Sequence, residues 1–162
     1  FTALSEFKGV GRRLERLGEK CEVVVLDDYA HHPSEIRAAL DTARKMYTSA
    51  RLIAVFQPHL FSRTRDFAED FGAALAEADS VWVTDIFPAR ENPIPGVTGG
   101  TVAEAVQRAG GGHVCYVPAL GDLPNLLAEE LRAGDVLVTL GAGSIDSLGG
   151  QVLDRLGERV HA

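Results

Sequence analysis

Short runs of nearly continuous apolar residues recur along the chain, and a stretch with helical periodicity follows each one. The runs are Cys21–Asp27, Arg51–Phe56, Ser80–Asp85, His113–Val117 and Asp135–Leu140. The helical stretches are Pro33–Tyr47, Thr64–Ala78, Thr101–Ala109, Asp122–Arg132 and a last one ending near Arg159. In the first helical stretch, Ile36, Ala39, Leu40, Ala43 and Met46 or Tyr47 make one stripe, and Pro33 suits a first turn. Strands apolar on both faces and separated by single helices form a parallel sheet covered on both sides. Right-handed crossovers then give a doubly wound, Rossmann-like α/β layer sandwich. One departure is expected at the start. Arg12–Leu17 can pair antiparallel with Cys21–Asp27 through a turn at Gly18-Glu19-Lys20, adding an edge strand at the N-terminal end of the sheet. The segment 86–100, with three Pro and three Gly, reads as an ordered surface loop because regular patterns resume on both sides.

The 162 residues suit one domain spanning the whole chain. A hydrophobic fraction of 46% with 24% charged residues is that of a folded globular chain, and disorder is excluded as a global description. No run approaches the ~18–20 apolar residues of a membrane span. Sixteen basic against 23 acidic residues leave a net charge of −7, which argues against a nucleic-acid partner. Cys21 and Cys115 sit in strand-like runs without CxxC spacing, and are expected to be reduced, mostly buried thiols of a cytosolic protein. A chain opening Phe1-Thr2-Ala3, with neither initiator Met nor a signal pattern, is expected to be a piece of something longer.

In such a sheet, ligands gather outside the carboxyl ends of the strands. The turns there carry Asp27-Asp28-Tyr29-Ala30-His31-His32-Pro33, Gln57-Pro58-His59-Leu60-Phe61-Ser62-Arg63-Thr64, Asp85-Ile86-Phe87-Pro88-Ala89-Arg90-Glu91 and Gly141-Ala142-Gly143-Ser144. Asp27 and Asp28 could hold Mg²⁺ or accept from ribose hydroxyls, or simply favour the start of the following helix. His31, His32 and His59 lack the spacing of a zinc site, and His31 or His59 serves better as a donor to an anionic ligand. Arg63, just before a helix, offers a bidentate fork to a carboxylate or phosphate. Arg12-Arg13 after Gly9-Val10-Gly11 could present Arg to a phosphate or be an ordinary basic strand end. Neither G-x-G-x-x-G nor G-x-x-x-x-G-K-[ST] occurs at a strand-to-helix turn, so the chain carries no phosphate-cradling loop of its own. Gly110-Gly111-Gly112 reads as a helix C-cap and turn.

The segments Phe7–Arg13, Asp27–Glu35, Val55–Thr64 and Asp85–Glu91, in this order and at these distances, resemble the C-terminal domain of the Mur ligases of peptidoglycan synthesis. The pairing of the turn at Asp27–Pro33 with that at Gln57–Thr64 is most similar to the members that join L-alanine to UDP-N-acetylmuramate. The resemblance implies a three-domain, ATP-dependent and Mg²⁺-dependent ligase. One domain binds the UDP-sugar, a central one holds ATP in a P-loop, and the third is this Rossmann-like one. The sugar carboxylate is phosphorylated by ATP, the amine of L-alanine attacks the acyl phosphate, and Mg²⁺ offsets phosphoryl charge. Without the other two domains the chain is expected to be inactive. Residue by residue, the resemblance implies that Tyr29, His31, His59 and Arg63 face L-alanine, with Arg63 on its carboxylate. Arg13, Asp27 and Asp28 lie nearer the nucleotide, and no metal ligand is assigned to this chain. Leu60 stands where some members have Arg, and Ser144 where Asp or Asn often stands. The competing readings are another Mur-type amino-acid ligase domain, a free-standing Rossmann-like nucleotide-binding module, and a metal-dependent hydrolase using Asp27, Asp28, His31 and His59.

Overall fold

The structure is a computed structural model and describes residues 13–160. The expected strand start at Arg12, and residues 7–12 of the first resembling segment, lie outside the described residues. Strands are β1 (Glu15–Lys20), β2 (Val23–Asp28), β3 (Leu52–Phe56), β4 (Ser80–Val83), β5 (His113–Tyr116) and β6 (Val136–Leu140). Helices are α1 (Pro33–Met46), α2 (Phe61–Leu75), α3 (Gly99–Arg108), α4 (Leu123–Glu130) and α5 (Leu148–Val160). They build one mixed sheet in the order β1-β2-β6-β3-β4-β5, parallel throughout except for the antiparallel pair β1–β2. Among the described residues no helix is long and apolar enough to cross a membrane.

The two-residue period of the strands sorts their side chains onto two cores. Val24, Leu26, Ala54, Phe56, Val81, Val83 and Val138 pack with the stripe of α1 and with α2 and α3. Val23, Val25, Ile53, Val55, Trp82 and Leu137 pack on the other face with α4 and α5. β6 returns between β2 and β3, so the carboxyl ends of these three strands lie side by side. The Gly141 N–H donates to the Asp28 carbonyl, and the Gln57 N–H to the Leu140 carbonyl, which ties the three ends together.

The β1–β2 turn differs from the sequence reading. It falls at Cys21-Glu22, whose φ angles of 53° and 60° form a left-handed two-residue turn that matches the twist of a hairpin. Gly18 lies inside β1 instead, beside an irregularity in register between Arg16 and Gly18. A Cβ on Gly18 would stand 3.1 Å from Leu153 Cδ1, so this glycine lets α5 approach the strand and does not make the turn. Cys21 is therefore a turn residue, and both cysteines are free and half-buried, not fully enclosed. Gly110, with φ 84°, does close α3 as expected.

Candidate functional site

The carboxyl edge of the sheet gathers the residues singled out above. Asp27 is buried at the end of β2 and accepts from Thr139 Oγ1 at 2.7 Å. Asp28, on the opposite face of the strand, accepts from the Ala30 N–H at 2.8 Å and the Leu14 N–H at 3.0 Å. Burial pushes the Asp28 carboxyl above the ordinary range, and these two N–H groups pull against that shift. The two neighbouring carboxylates thus stand on opposite faces of the strand and accept from different donors. Tyr29 is exposed, with its ring edge-on to His31 at 5.1 Å. His31 Nδ1 stands 3.0 Å from the Tyr29 carbonyl.

His32 is committed to helix architecture. It is the N-cap of α1, its ring nitrogen accepts from the Ser34 N–H, and Glu35 closes the capping box. Its ring lies 5.2 Å from that of Phe67. Among the described residues no group of three or more His, Cys, Asp or Glu side chains is placed to hold a metal ion.

The β3–α2 turn supplies the other half of the cluster. His59 lies 5.9 Å, ring to ring, from His31 and stacks on Phe87 at 5.7 Å with an interplanar angle of 15°. Arg63 is in the first turn of α2, not before the helix as the sequence suggested, because α2 begins at Phe61. Its Nη1 is 3.3 Å from His59 Nδ1. A guanidinium can only donate, so Nδ1 accepts and the neutral ring carries its proton on Nε2. Burial, then the Arg63 charge, then His31 hold the His59 pKa below the ordinary histidine value. Its contribution to stability is therefore present above the unfolded-state value and lost as pH falls through the folded one. We expect His59 to titrate below a free histidine by NMR, and Arg63→Ala to move its midpoint upward. A midpoint that falls in Arg63→Ala would contradict the contact.

The seven expected residues thus separate into three places. Tyr29, His31, His59 and Arg63 form one contiguous cluster. Arg13 and Asp28 line a groove of about 550 Å³ beside it, shared with Tyr29 and walled by Leu14, Ala39 and Met46. Asp27 lies beneath, enclosed. Four further residues shape the cluster. Gln57 is buried, donating to Ser144 Oγ at 3.0 Å and accepting from the Ile145 N–H at 3.1 Å. Gly143 leaves no room for a side chain, since a Cβ there would stand 2.6 Å from Phe87 Cγ. Phe87 carries the His59 ring. Glu91 accepts from the Ser62 N–H at 3.0 Å and from the Ser62 hydroxyl, and these bonds hold its carboxyl below the ordinary glutamate range. Phe87 and Glu91 stand in a segment the sequence singled out, but no spacing revealed their contacts, made across 28 and 29 positions.

The doubly wound sheet, with basic and imidazole groups at its carboxyl edge, makes this a Rossmann-like α/β domain. The family described as "Mur ligase, glutamate ligase domain" matches residues 12–143, and the chain belongs to the Mur ligase family through this C-terminal domain. A relative named UDP-N-acetylmuramate–L-alanine ligase from Cutibacterium acnes is 56% identical over 149 residues, covering 91% of this chain and 31% of that protein. The solved UDP-N-acetylmuramate-alanine ligase of Thermotoga maritima superposes with a TM-score of 0.77 at 28% identity, over 98% of this chain and 33% of that one. A ligase domain from Haemophilus ducreyi, solved by itself, shares the fold with a TM-score of 0.67 at 23% identity, over 89% of this chain and 99% of that one. The chain spans about a third of the length of the curated relatives it matches (31% and 34% for two of them).

Proposed function

We propose that this chain is the amino-acid-contacting domain of an ATP-dependent ligase that joins L-alanine to UDP-N-acetylmuramate. The observation that carries the reading is the state of Arg63. It stands half-buried at the carboxyl edge of the sheet and bonds to an uncharged imidazole nitrogen, and among the described residues it makes no ion pair. Its charge is therefore left for an anionic ligand, and the planar fork suits a carboxylate. Tyr29, His31 and the Nε2–H of His59 surround the same spot and fix the orientation of the bound amino acid. Arg13 and Asp28 face the nucleotide from the adjoining groove.

The sequence offers no glycine-rich phosphate cradle, and among the described residues no cluster of acids is placed for Mg²⁺. ATP and its metal are accordingly assigned to another domain of the ligase, with the UDP-sugar bound by a third. The chemistry they supply is activation of the sugar carboxylate. The part of this domain is to present the alanine amine to it, where correct aim counts for much of the rate.

A domain exchange tests this. The matching third of the Cutibacterium acnes relative is replaced by this chain, and phosphate release from ATP is followed with UDP-N-acetylmuramate and each amino acid in turn. Release dependent on L-alanine is expected from the chimera and none from the chain alone. A folded chimera that answers to glutamate in place of alanine would overturn the reading, as would turnover by the isolated chain.

A further inference from the structure

We propose that Glu91 is a positioning residue for the amino-acid subsite, acting from the β4–α3 loop as the missing cap of the helix that carries Arg63. The role of Arg63 in this proposal rests on the function proposed above; the cap itself rests on the contacts.

The first turn of a helix leaves N–H groups without intrahelical partners, and the residue before it usually supplies an acceptor. In α2 that residue is Leu60, which has no acceptor and sits at φ 72°, a left-handed conformation that a leucine rarely adopts. The first turn of α2 also contains no acidic residue to complement the helix dipole. Glu91 supplies both. Its carboxylate takes the Ser62 N–H at 3.0 Å and the Ser62 hydroxyl, so the residue adjacent to Arg63 is gripped by two bonds. The same loop fixes the approach to the helix. The Leu60 N–H donates to the Phe87 carbonyl at 3.0 Å, and the Phe87 N–H donates to the Pro58 carbonyl at 2.8 Å. His59 and Phe87 form a one-residue parallel bridge, with their rings stacked.

The loop cannot slide under this load. Asp85 Oδ1 holds its two ends together by accepting from the Ile86 N–H at 2.9 Å and the Gly99 N–H at 3.0 Å. The close approach of Gly143 backs the Phe87 ring. Arg63 and His59 are therefore aimed by a loop that precedes a different helix, and Glu91 is its outermost grip. Removing that grip frees the first turn of α2 and so the aim of Arg63, while the guanidinium itself is kept.

The test uses Glu91→Ala and Glu91→Gln, with Arg63→Ala as reference. In the 162-residue chain, amide hydrogen exchange at Ser62 and Arg63 should quicken in Glu91→Ala, and partly recover in Glu91→Gln, which keeps an acceptor. In the full-length ligase, Glu91→Ala should lower kcat/KM for L-alanine by roughly tenfold, since a misaimed group forfeits much of the orientation gain. The KM for ATP should hold, and Glu91→Gln should recover part of the loss. Unchanged exchange at Ser62 and Arg63 in Glu91→Ala would overturn the cap. Quickened exchange with normal alanine kinetics, alongside an impaired Arg63→Ala, would overturn the positioning role. If Arg63→Ala is also normal toward alanine, the ligand assignment itself falls, and this role of Glu91 falls with it.

Discussion

Replacing Arg63 by Ala in the full-length ligase is expected to cut kcat/KM for L-alanine by roughly ten- to a hundredfold. A charge-assisted hydrogen bond to a carboxylate is worth ~1.5–3 kcal/mol, and its loss appears in the second-order rate constant. The alanine carboxylate is present in the ground state and the transition state alike. Losing its partner therefore raises KM as uniform binding, and lowers kcat to the extent that the amine loses its aim. Arg63 also donates to His59 Nδ1 at 3.3 Å, so the variant frees that nitrogen as well. The KM for ATP should move far less, because the chain has no phosphate-cradling loop and Arg13 and Asp28 lie in the adjoining groove. Arg63→Lys should recover only part of the loss, since a point charge lacks the fork. Steady-state kinetics with each substrate varied in turn decides it. Normal alanine kinetics, or a defect confined to ATP, would assign this arginine to another ligand.

The features visible in the sequence were those set by local periodicity. The apolar runs mark β2, β3, β4 and β6, because strands buried on both faces need side chains of one kind throughout, and the run at β5 marks an edge strand whose His113 and Tyr116 are exposed. The stripe at Ile36, Ala39, Leu40 and Ala43 marks α1, because only one of its faces is buried. The parallel sheet follows from their alternation, and the carboxyl edge follows from the parallel sheet. The turns that carry Tyr29, His31, His59 and Arg63 fall on that edge, whereas the grouping of these four as one set came from the resemblance to the Mur ligases. What stayed hidden depends on distant partners. The pattern starts α2 at Thr64, whereas the helix begins at Phe61, where the Ser62 N–H and hydroxyl find Glu91. Gly18 reads as a turn residue, but its bare Cα is used for the approach of Leu153. Ser144 looks like a departure that weakens its turn, yet its hydroxyl accepts from Gln57 and links the β3 and β6 loops. Asp27 and Asp28 are equivalent as letters. The strand pleat separates them, placing one against Thr139 and the other against the Leu14 and Ala30 amides.

Phe71→Ala is expected to be the most destabilising single truncation in α2, at roughly 3–5 kcal/mol. The Phe71 side chain is fully buried, its ring 5.1 Å from that of Phe56, in the core shared by β3, α1 and α3. Removing it takes away transfer energy and leaves a cavity that this core fills only in part. For a chain of this size each kcal/mol moves the melting temperature by ~2–4 °C, so a fall of roughly 6–20 °C is expected. Phe71→Leu, which keeps more of the volume, should fall between the two. The effect on alanine binding should be small in molecules that remain folded. Phe67, with φ −114° and ψ 15°, breaks the regular helix between Arg63 and Phe71. The first turn is instead held from outside, by Glu91 and by the Phe87 carbonyl. Stability and alanine KM should therefore respond to different residues of the same helix, Phe71 for the first and Arg63 for the second. Thermal or urea unfolding, paired with alanine kinetics well below the melting range, separates them. A loss of stability under about 1 kcal/mol in Phe71→Ala would show that the core around Phe56 closes over the gap. An alanine defect in Phe71→Ala matching that of Arg63→Ala would show that the break at Phe67 transmits strain to the site.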